Sequence, residues 1–285
     1  MNKVLKRVIT ACLTLALFVT VLSPVVAEAA TKTRSLTLYK GEAIYVTDYN
    51  KVKSVSSSKK SVVSVAKDKK NNKNANITAK KTGKATVTVK TAAGTYKYNI
   101  TVKKLDVSVT MTDMGAGYIL LTVKNNTKQT FTGVAVEYSL KDESGSEVAH
   151  DVEKLYDVVA GKTAYKTLYY SSYSYTPDLT QCSAKAVAAE RNPSYSYKNQ
   201  TSNFSVKYEL NDGKIVFTLS NKSKTTAING KVYALCYDAN DNVIGLVSTS
   251  AYLKGGAKDT TSRLVSTGTD HVKIVSSAYS YHYNN

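Results

Sequence analysis

The chain has 285 residues, 42% of them hydrophobic, with 39 lysines and arginines against 21 acidic residues. That is apolar material enough for true cores, in a length that suits two or three small domains better than one. With three prolines, no tryptophan and 22 tyrosines, it is neither collagen-like nor a proline-rich disordered chain.

Residues 1–29 read as a cleaved signal peptide. Lys3, Lys6 and Arg7 form a basic start, an apolar run extends from Val8 to Val26 with a break at Pro24, and Ala27-Glu28-Ala29 is a small-x-small cleavage site. The mature chain is expected to begin at Ala30, the alternative being an N-terminal membrane anchor. Ile9-Thr10-Ala11-Cys12 mimics a lipoprotein box, but its apolar run follows it instead of preceding it. No later stretch approaches the roughly 20 continuous apolar residues that span a bilayer. The C-terminal Tyr281-His282-Tyr283-Asn284-Asn285 has no sorting motif or hydrophobic tail. The expected location is extracellular, with non-covalent wall contacts as the means of retention.

Residues 31–104 alternate short β-rich runs with polar turns. Strands are expected at Ser35–Tyr39, Ala43–Thr47, Val52–Ser58, Ser61–Val65 and Thr95–Val102, and Asp68 to Asn76 is a Lys/Asn loop. Between them, Ile77 to Val89 reads as a hairpin turning at Gly83, with Ala85, Val87 and Val89 alternating against Lys84, Thr86 and Thr88. Six or seven such strands predict a β-sandwich of immunoglobulin type.

Gly41-Glu42, Ser56-Ser57-Ser58 ahead of Ser61–Val65, Ile77-Thr78-Ala79 and Gly83–Val89 stand in an order and spacing that resemble the group-2 bacterial immunoglobulin-like (Big) domain, over most of residues 33–104. Val55 departs from it, since that family often has a core tryptophan there. The resemblance implies a module of bacterial surface proteins, a spacer, stalk or wall-proximal unit, with no catalytic residues.

Charge sets this segment apart. Residues 31–104 hold 18 lysines and arginines against Glu42, Asp48 and Asp68, whereas residues 105–285 hold 18 against 17 acidic residues. Such a concentration repels itself and attracts polyanions. Outside a cell these would be anionic wall polymers, lipid headgroups or acidic glycans. The candidate polyanion-binding set is Lys59, Lys60, Lys67, Lys69, Lys70, Lys73, Lys80, Lys81 and Lys84. Lysine outnumbers arginine here 17 to 1, which argues against bidentate reading of nucleic acid. A merely solvated basic face is the competing account.

Residues 105–193 and 201–285 repeat one another. At a shift of 96, Ile119–Lys128 lies over Ile215–Lys224, and Val136, Leu140, Asp142 and Val148 over Val232, Cys236, Asp238 and Ile244. Near the end the shift falls to 90, with Gln181–Glu190 over His271–Ser280. A repeat of this length means tandem domains of one fold, each with about seven strands and no helical period. Asn125-Asn126-Thr127 and Asn221-Lys222-Ser223 are expected turns, and Asp142–Gly145 and Asp238–Asn242 hairpin tips. Tyr138-Ser139-Leu140-Lys141-Asp142 and Ala234-Leu235-Cys236-Tyr237-Asp238, set in that pattern, resemble the FxLYD-type extracellular β-sandwich of Gram-positive bacteria, in part. Ser194 to Asn203 reads as the linker. The fold class is therefore all-β, three tandem Ig-like sandwiches after a signal peptide.

Catalytic patterns are absent. Asp238, Asn240 and Asn242 have calcium-loop spacing, but Val243 stands where glycine is needed and Thr249 where glutamate is. His150, His271 and His282 have no zinc spacing, and no nucleophile–base pair emerges. No cofactor and no enzymatic activity are expected. Cys182 and Cys236 could pair in an exported protein, but they fall at non-equivalent repeat positions over apolar counterparts, which favours packing as small apolar residues.

Tyr/Ser tracts supply the remaining candidates: Tyr169, Tyr170, Tyr173 and Tyr175, then Tyr279, Tyr281 and Tyr283, with Tyr195 and Tyr197 between. Tyrosine offers rigid amphipathic contact area for sugars or a protein partner. The plainer account is cross-strand pairing within a sheet. Two functions are expected from this reading: a non-catalytic surface protein held to anionic wall polymer by its first domain, or a glycan-binding module using the tyrosines.

Overall fold

The computed structural model describes residues 31–47, 50–170, 175–192 and 195–283. The expected signal peptide, Cys12, Asp48 and Tyr173 lie outside them. The chain is all-β, as expected, and its alternating apolar residues face inward between paired sheets.

The first seven strands are β1 (Thr31–Tyr39), β2 (Ala43–Thr47), β3 (Val52–Ser57), β4 (Val63–Lys67), β5 (Asn74–Ala79), β6 (Gly83–Thr91) and β7 (Thr95–Lys103). They form a β1-β7-β6-β3 sheet over a β2-β5-β4 layer, with β1 and β7 parallel. Leu38, Ile44, Val63, Ile77, Val87 and Ile100 fill the space between, and Val55 packs partly buried against them. Each such side chain contributes roughly 1.5–3 kcal/mol when fully buried.

The expected hairpin at Gly83 is not one. β5 pairs with β2 and β4, and β6 with β3 and β7, so Ile77–Val89 crosses from one sheet to the other. Alternation alone does not distinguish the two cases, because both arms turn the same apolar set inward. The crossing is anchored from outside: Lys80 and Lys81 N–H both donate to the Val62 carbonyl.

The next six strands are β8 (Val107–Gly115), β9 (Tyr118–Asn125), β10 (Phe131–Lys141), β11 (Glu147–Val158), β12 (Thr163–Tyr169) and β13 (Ser183–Glu190). The last seven are β14 (Tyr195–Asn199), β15 (Phe204–Asn211), β16 (Lys214–Asn221), β17 (Ile228–Tyr237), β18 (Val243–Leu253), β19 (Lys258–Leu264) and β20 (His271–Tyr283). The repeat read from the sequence reappears as topology. β12-β9-β8 corresponds to β19-β16-β15, and β11-β10-β13 to β18-β17-β20, to which β14 adds an edge. Ile119, Leu121 and Val123 on β9 and Ile215, Phe217 and Leu219 on β16 are the matching core positions, all fully buried. Much of the expected linker is thus sheet: Tyr195–Asn199 pairs with β20 before a 3-10 turn at Thr201–Asn203.

Asn125 and Asn221 hold the crossings that follow β9 and β16. Buried Asn125 donates to the carbonyls of Gln129 and Val158 and accepts from Thr127 N–H. Asn221 donates to those of Thr226, Leu253 and Lys254 and accepts from Ser223 N–H. Cys182 and Cys236 are free thiols, Cys236 deep in the core with its thiol pKa pushed up by burial, Cys182 partly buried.

Two junctions tie the sandwiches together. A parallel bridge between Ala43 and Glu190 joins the β2-β5-β4 layer to β11-β10-β13, making one six-stranded sheet. Gly41, at φ +86°, permits this, since a Cβ there would lie 2.2 Å from the Val187 carbonyl oxygen. Beside it the Arg191 guanidinium binds Glu42, the Gln129 side chain and the Thr37 carbonyl. At the second junction, Met114, Leu120 and Leu235 form an apolar contact with Tyr165, Tyr237 and Leu246 around it. Tyr165 and Tyr233 meet edge-on at 5.3 Å, and the Tyr279 hydroxyl donates to Asp157 at 2.7 Å.

Candidate polyanion surface and tyrosine ladder

All nine candidate lysines are exposed, and among the described residues none is in an ion pair. The fold divides them. Lys67, Lys69, Lys70 and Lys73 occupy the end of β4 and the loop to β5. Lys59, Lys60, Lys80, Lys81 and Lys84 lie at the opposite pole, where Val62 bonds back to Lys59 and the β5–β6 crossing bonds to Val62. The length of β4 separates the groups by on the order of 15 Å. At physiological salt the screening length is about 8 Å, so the two poles act as separate patches.

Turns shape the loop that carries Lys69, Lys70 and Lys73. Asp68 accepts from Lys70 N–H at 2.8 Å, and Asn71 accepts from Lys73 N–H at 3.1 Å. The Lys70 N–H foremost, then the Asn71 N–H and the Asn74 side chain, hold the Asp68 carboxyl below its ordinary range. Asp68 is therefore committed to the loop that displays the lysines. Glu42 is likewise engaged: it is fully buried, accepts from Tyr39 N–H at 2.8 Å and pairs with Arg191. Burial raises its pKa, and Arg191 opposes that rise.

The tyrosines fall into two groups with no ring contact between them among the described residues. β14 and β20 carry a ladder in which Tyr283, Tyr195, Tyr281, Tyr197 and Tyr279 follow one another at centroid spacings of 5.6, 5.4, 6.5 and 5.9 Å. Tyr281 and Tyr283 are exposed, whereas Tyr279 is buried against the second junction. Burial, reinforced by its bond to the Asp157 carboxylate, raises the Tyr279 pKa. In the other group, exposed Tyr169 tilts against Tyr118 across β12 and β9 at 5.4 Å. Tyr170 is a core residue stacked on partly buried Tyr175 at 5.8 Å. Strand alternation thus puts Tyr169 outside and Tyr170 inside.

The Asp238 carboxylate accepts from Asn240 and Asn242 N–H and from the Asn242 amide, which fixes the β17–β18 turn. Sequence reasoning missed the Glu42–Arg191 pair, whose partners lie 149 residues apart. It also missed the polar residues assembled around Asp157.

No family model matches the chain, and no curated protein matches it. Among solved structures it is similar to chicken CNTN1 FN1–FN3 domains, at 9% identity over 84% of this chain and 89% of that one, with a TM-score of 0.19. It is also similar to two forms of Salmonella alpha-2-macroglobulin, a mutant and the methylamine-reacted protein. Both are 10% identical over 84% of this chain and 21% of that one, with TM-scores of 0.18 and 0.17. At these scores the neighbours add nothing to the fold read from the sheets.

Proposed function

We propose that this is a non-catalytic protein exported to the surface of a Gram-positive bacterium, where its first sandwich, a group-2 bacterial Ig-like module, holds anionic wall polymer. Residues 105–193 and 201–285, as FxLYD-like modules, extend outward from it. One observation carries the reading. The two described acidic residues of the first sandwich are engaged internally, Glu42 by Arg191 and Asp68 by its own loop, while the nine candidate lysines stand exposed outside any ion pair among the described residues.

A lysine against an anionic surface contributes on the order of 1 kcal/mol. Four at one pole give about a thousandfold in affinity. The test is cosedimentation with purified Gram-positive walls, with and without teichoic acid, across a salt series. Expected is binding that needs teichoic acid, weakens with salt and drops when Lys67, Lys69, Lys70 and Lys73 become glutamine together. Absence of binding at low salt would overturn the reading.

The exposed rings of Tyr281 and Tyr283 favour a second reading, a glycan-binding face on the β14–β20 ladder. Salt-tolerant glycan binding lost in Tyr281→Ala and Tyr283→Ala would support it; binding indifferent to both would dismiss it.

A further inference from the structure

Where the second sandwich stops covering the outer face of β18-β17-β20, a cleft of about 140 Å³ opens. Its floor is a grid set by strand register. Tyr252, Asn229 and Tyr279 stand opposite one another in one row, and Ser250, Lys231 and Ser277 in the next. Directly opposed residues share a face, so these side chains point the same way. Asp157 lines the cleft from the second sandwich, steadied by the Tyr279 hydroxyl.

Apart from Asp157 and Tyr279, which bond each other, three polar side chains here lack protein partners among the described residues. Ser277 is only 4% exposed, yet among the described residues its hydroxyl makes no hydrogen bond to the protein, nor do the side chains of Asn229 and Ser250. Asn76 Oδ1 is the buried side-chain polar atom without a partner among the described residues, so these three groups are reached by solvent through the cleft and are open to a ligand. Asp157 and Lys231 both line the cleft but form no ion pair with each other, and the Lys231 ammonium sits 5.6 Å from the Tyr233 ring. The Tyr252 ring is 60% exposed at the rim.

We propose that this cleft binds one neutral saccharide ring. Each hydroxyl of a sugar both donates and accepts. That demand fits a carboxylate that accepts, an ammonium that donates, and an amide and two serine hydroxyls able to do both. Tyr252 supplies an aromatic edge for the apolar face of the ring. Three strands at about 4.8 Å and two rows about 7 Å apart give a floor for one ring and not a chain of them. An α-amino acid would satisfy Asp157 and Lys231 but leave the three neutral groups unanswered. The proposal does not rest on the lysine reading, and it shares only Tyr279 with the tyrosine reading.

The test is saturation-transfer NMR on the full mature chain in high salt, where polyanion contacts are screened, with glucose, galactose and N-acetylglucosamine as probes and alanine as the zwitterion. Expected is transfer to at least one sugar, weakened tenfold or more in Tyr252→Ala and in Asp157→Asn. Asparagine accepts the positive φ of 58° at that position, and Tyr252 is exposed, so both variants should fold. Tyr208→Ala, exposed on the opposite sheet, should bind as the wild type does. Transfer to no sugar, transfer unchanged in both cleft variants, or transfer to alanine alone would each overturn the proposal. Wall cosedimentation is read separately, so the two proposals fail independently.

Discussion

Replacing Arg191 with methionine keeps the apolar stem and removes the guanidinium from the first junction. Glu42 is fully buried and would keep only the Tyr39 N–H, while Gln129 and the Thr37 carbonyl would lose their donor. Orphaning one member of a buried ion pair costs about 3–5 kcal/mol. At about 4–8 °C per kcal/mol for a cooperative unit of 60–100 residues, the first unfolding transition should fall by at least ~12 °C at pH 7. The effect of pH follows from the direction of the Glu42 shift. A carboxyl whose folded pKa is raised above its unfolded value of 4.5 binds protons more readily when folded. The folded state therefore gains relative stability as pH falls through the raised pKa toward 4.5. Without Arg191 to oppose burial, that gain is larger in the variant, so the deficit should narrow between pH 7 and pH 5. Calorimetry on both proteins at the two pH values measures this, and adding Glu42→Gln to Arg191→Met should recover much of the loss at pH 7. A single variant within ~4 °C of wild type at pH 7, or a deficit that widens on acidification, would refute the account of the junction.

Two further outcomes follow from buried polar groups. Asn221→Ala strips the donor from three carbonyls and should cost about 2–3 kcal/mol in urea unfolding, and Asn221→Asp, unable to donate, should do no better. A loss under ~0.5 kcal/mol would show that the amide does not hold the crossing. Tyr233 is 4% exposed at the second junction, and burial pushes its pKa up to about 12. Its contribution is complete below the unfolded value of about 10 and is lost as pH rises from there to about 12. Tyr233→Phe should therefore flatten the alkaline fall in stability, followed by circular dichroism; an unchanged slope between those pH values would contradict the shift.

Strand positions in the first sandwich were legible because Ala85, Val87 and Val89 alternate cleanly with polar neighbours. Pairing was not. A strand, a Thr-Gly turn and a second strand describe a hairpin and a sheet crossing equally well, and the Val62 carbonyl that decides between them lies outside the stretch. The correspondence of the two copies was readable because its matched positions are largely core positions, from Ile119 over Ile215 to Leu140 over Cys236, whereas the edge strand β14 was not. For Asn125 and Asn221 the sequence pointed to the right residues for a different reason. Neither has a positive φ, and what counts is the amide's bonding to distant carbonyls. The nine candidate lysines are exposed as a basic surface would require, but their division into two poles was not legible, since it depends on the course of β4. Nothing local marks Asp157, Asn229 and Ser277 as neighbours, since register and inter-sandwich packing alone bring them together.

The parallel pairing of β1 with β7 sets how the first sandwich bears mechanical load. Thr31 lies opposite Thr95 at one end of the ladder and Tyr39 opposite Lys103 at the other, nine residue pairs in continuous register. Tension applied between Thr31 and Lys103 would draw the two strands past each other lengthwise. All the bonds of the ladder are then strained together, instead of parting one after another as in a peeled hairpin. Rupture under such a pull is governed by an unfolding rate, not by equilibrium stability. A module that tethers a protein to a wall under flow depends on that rate.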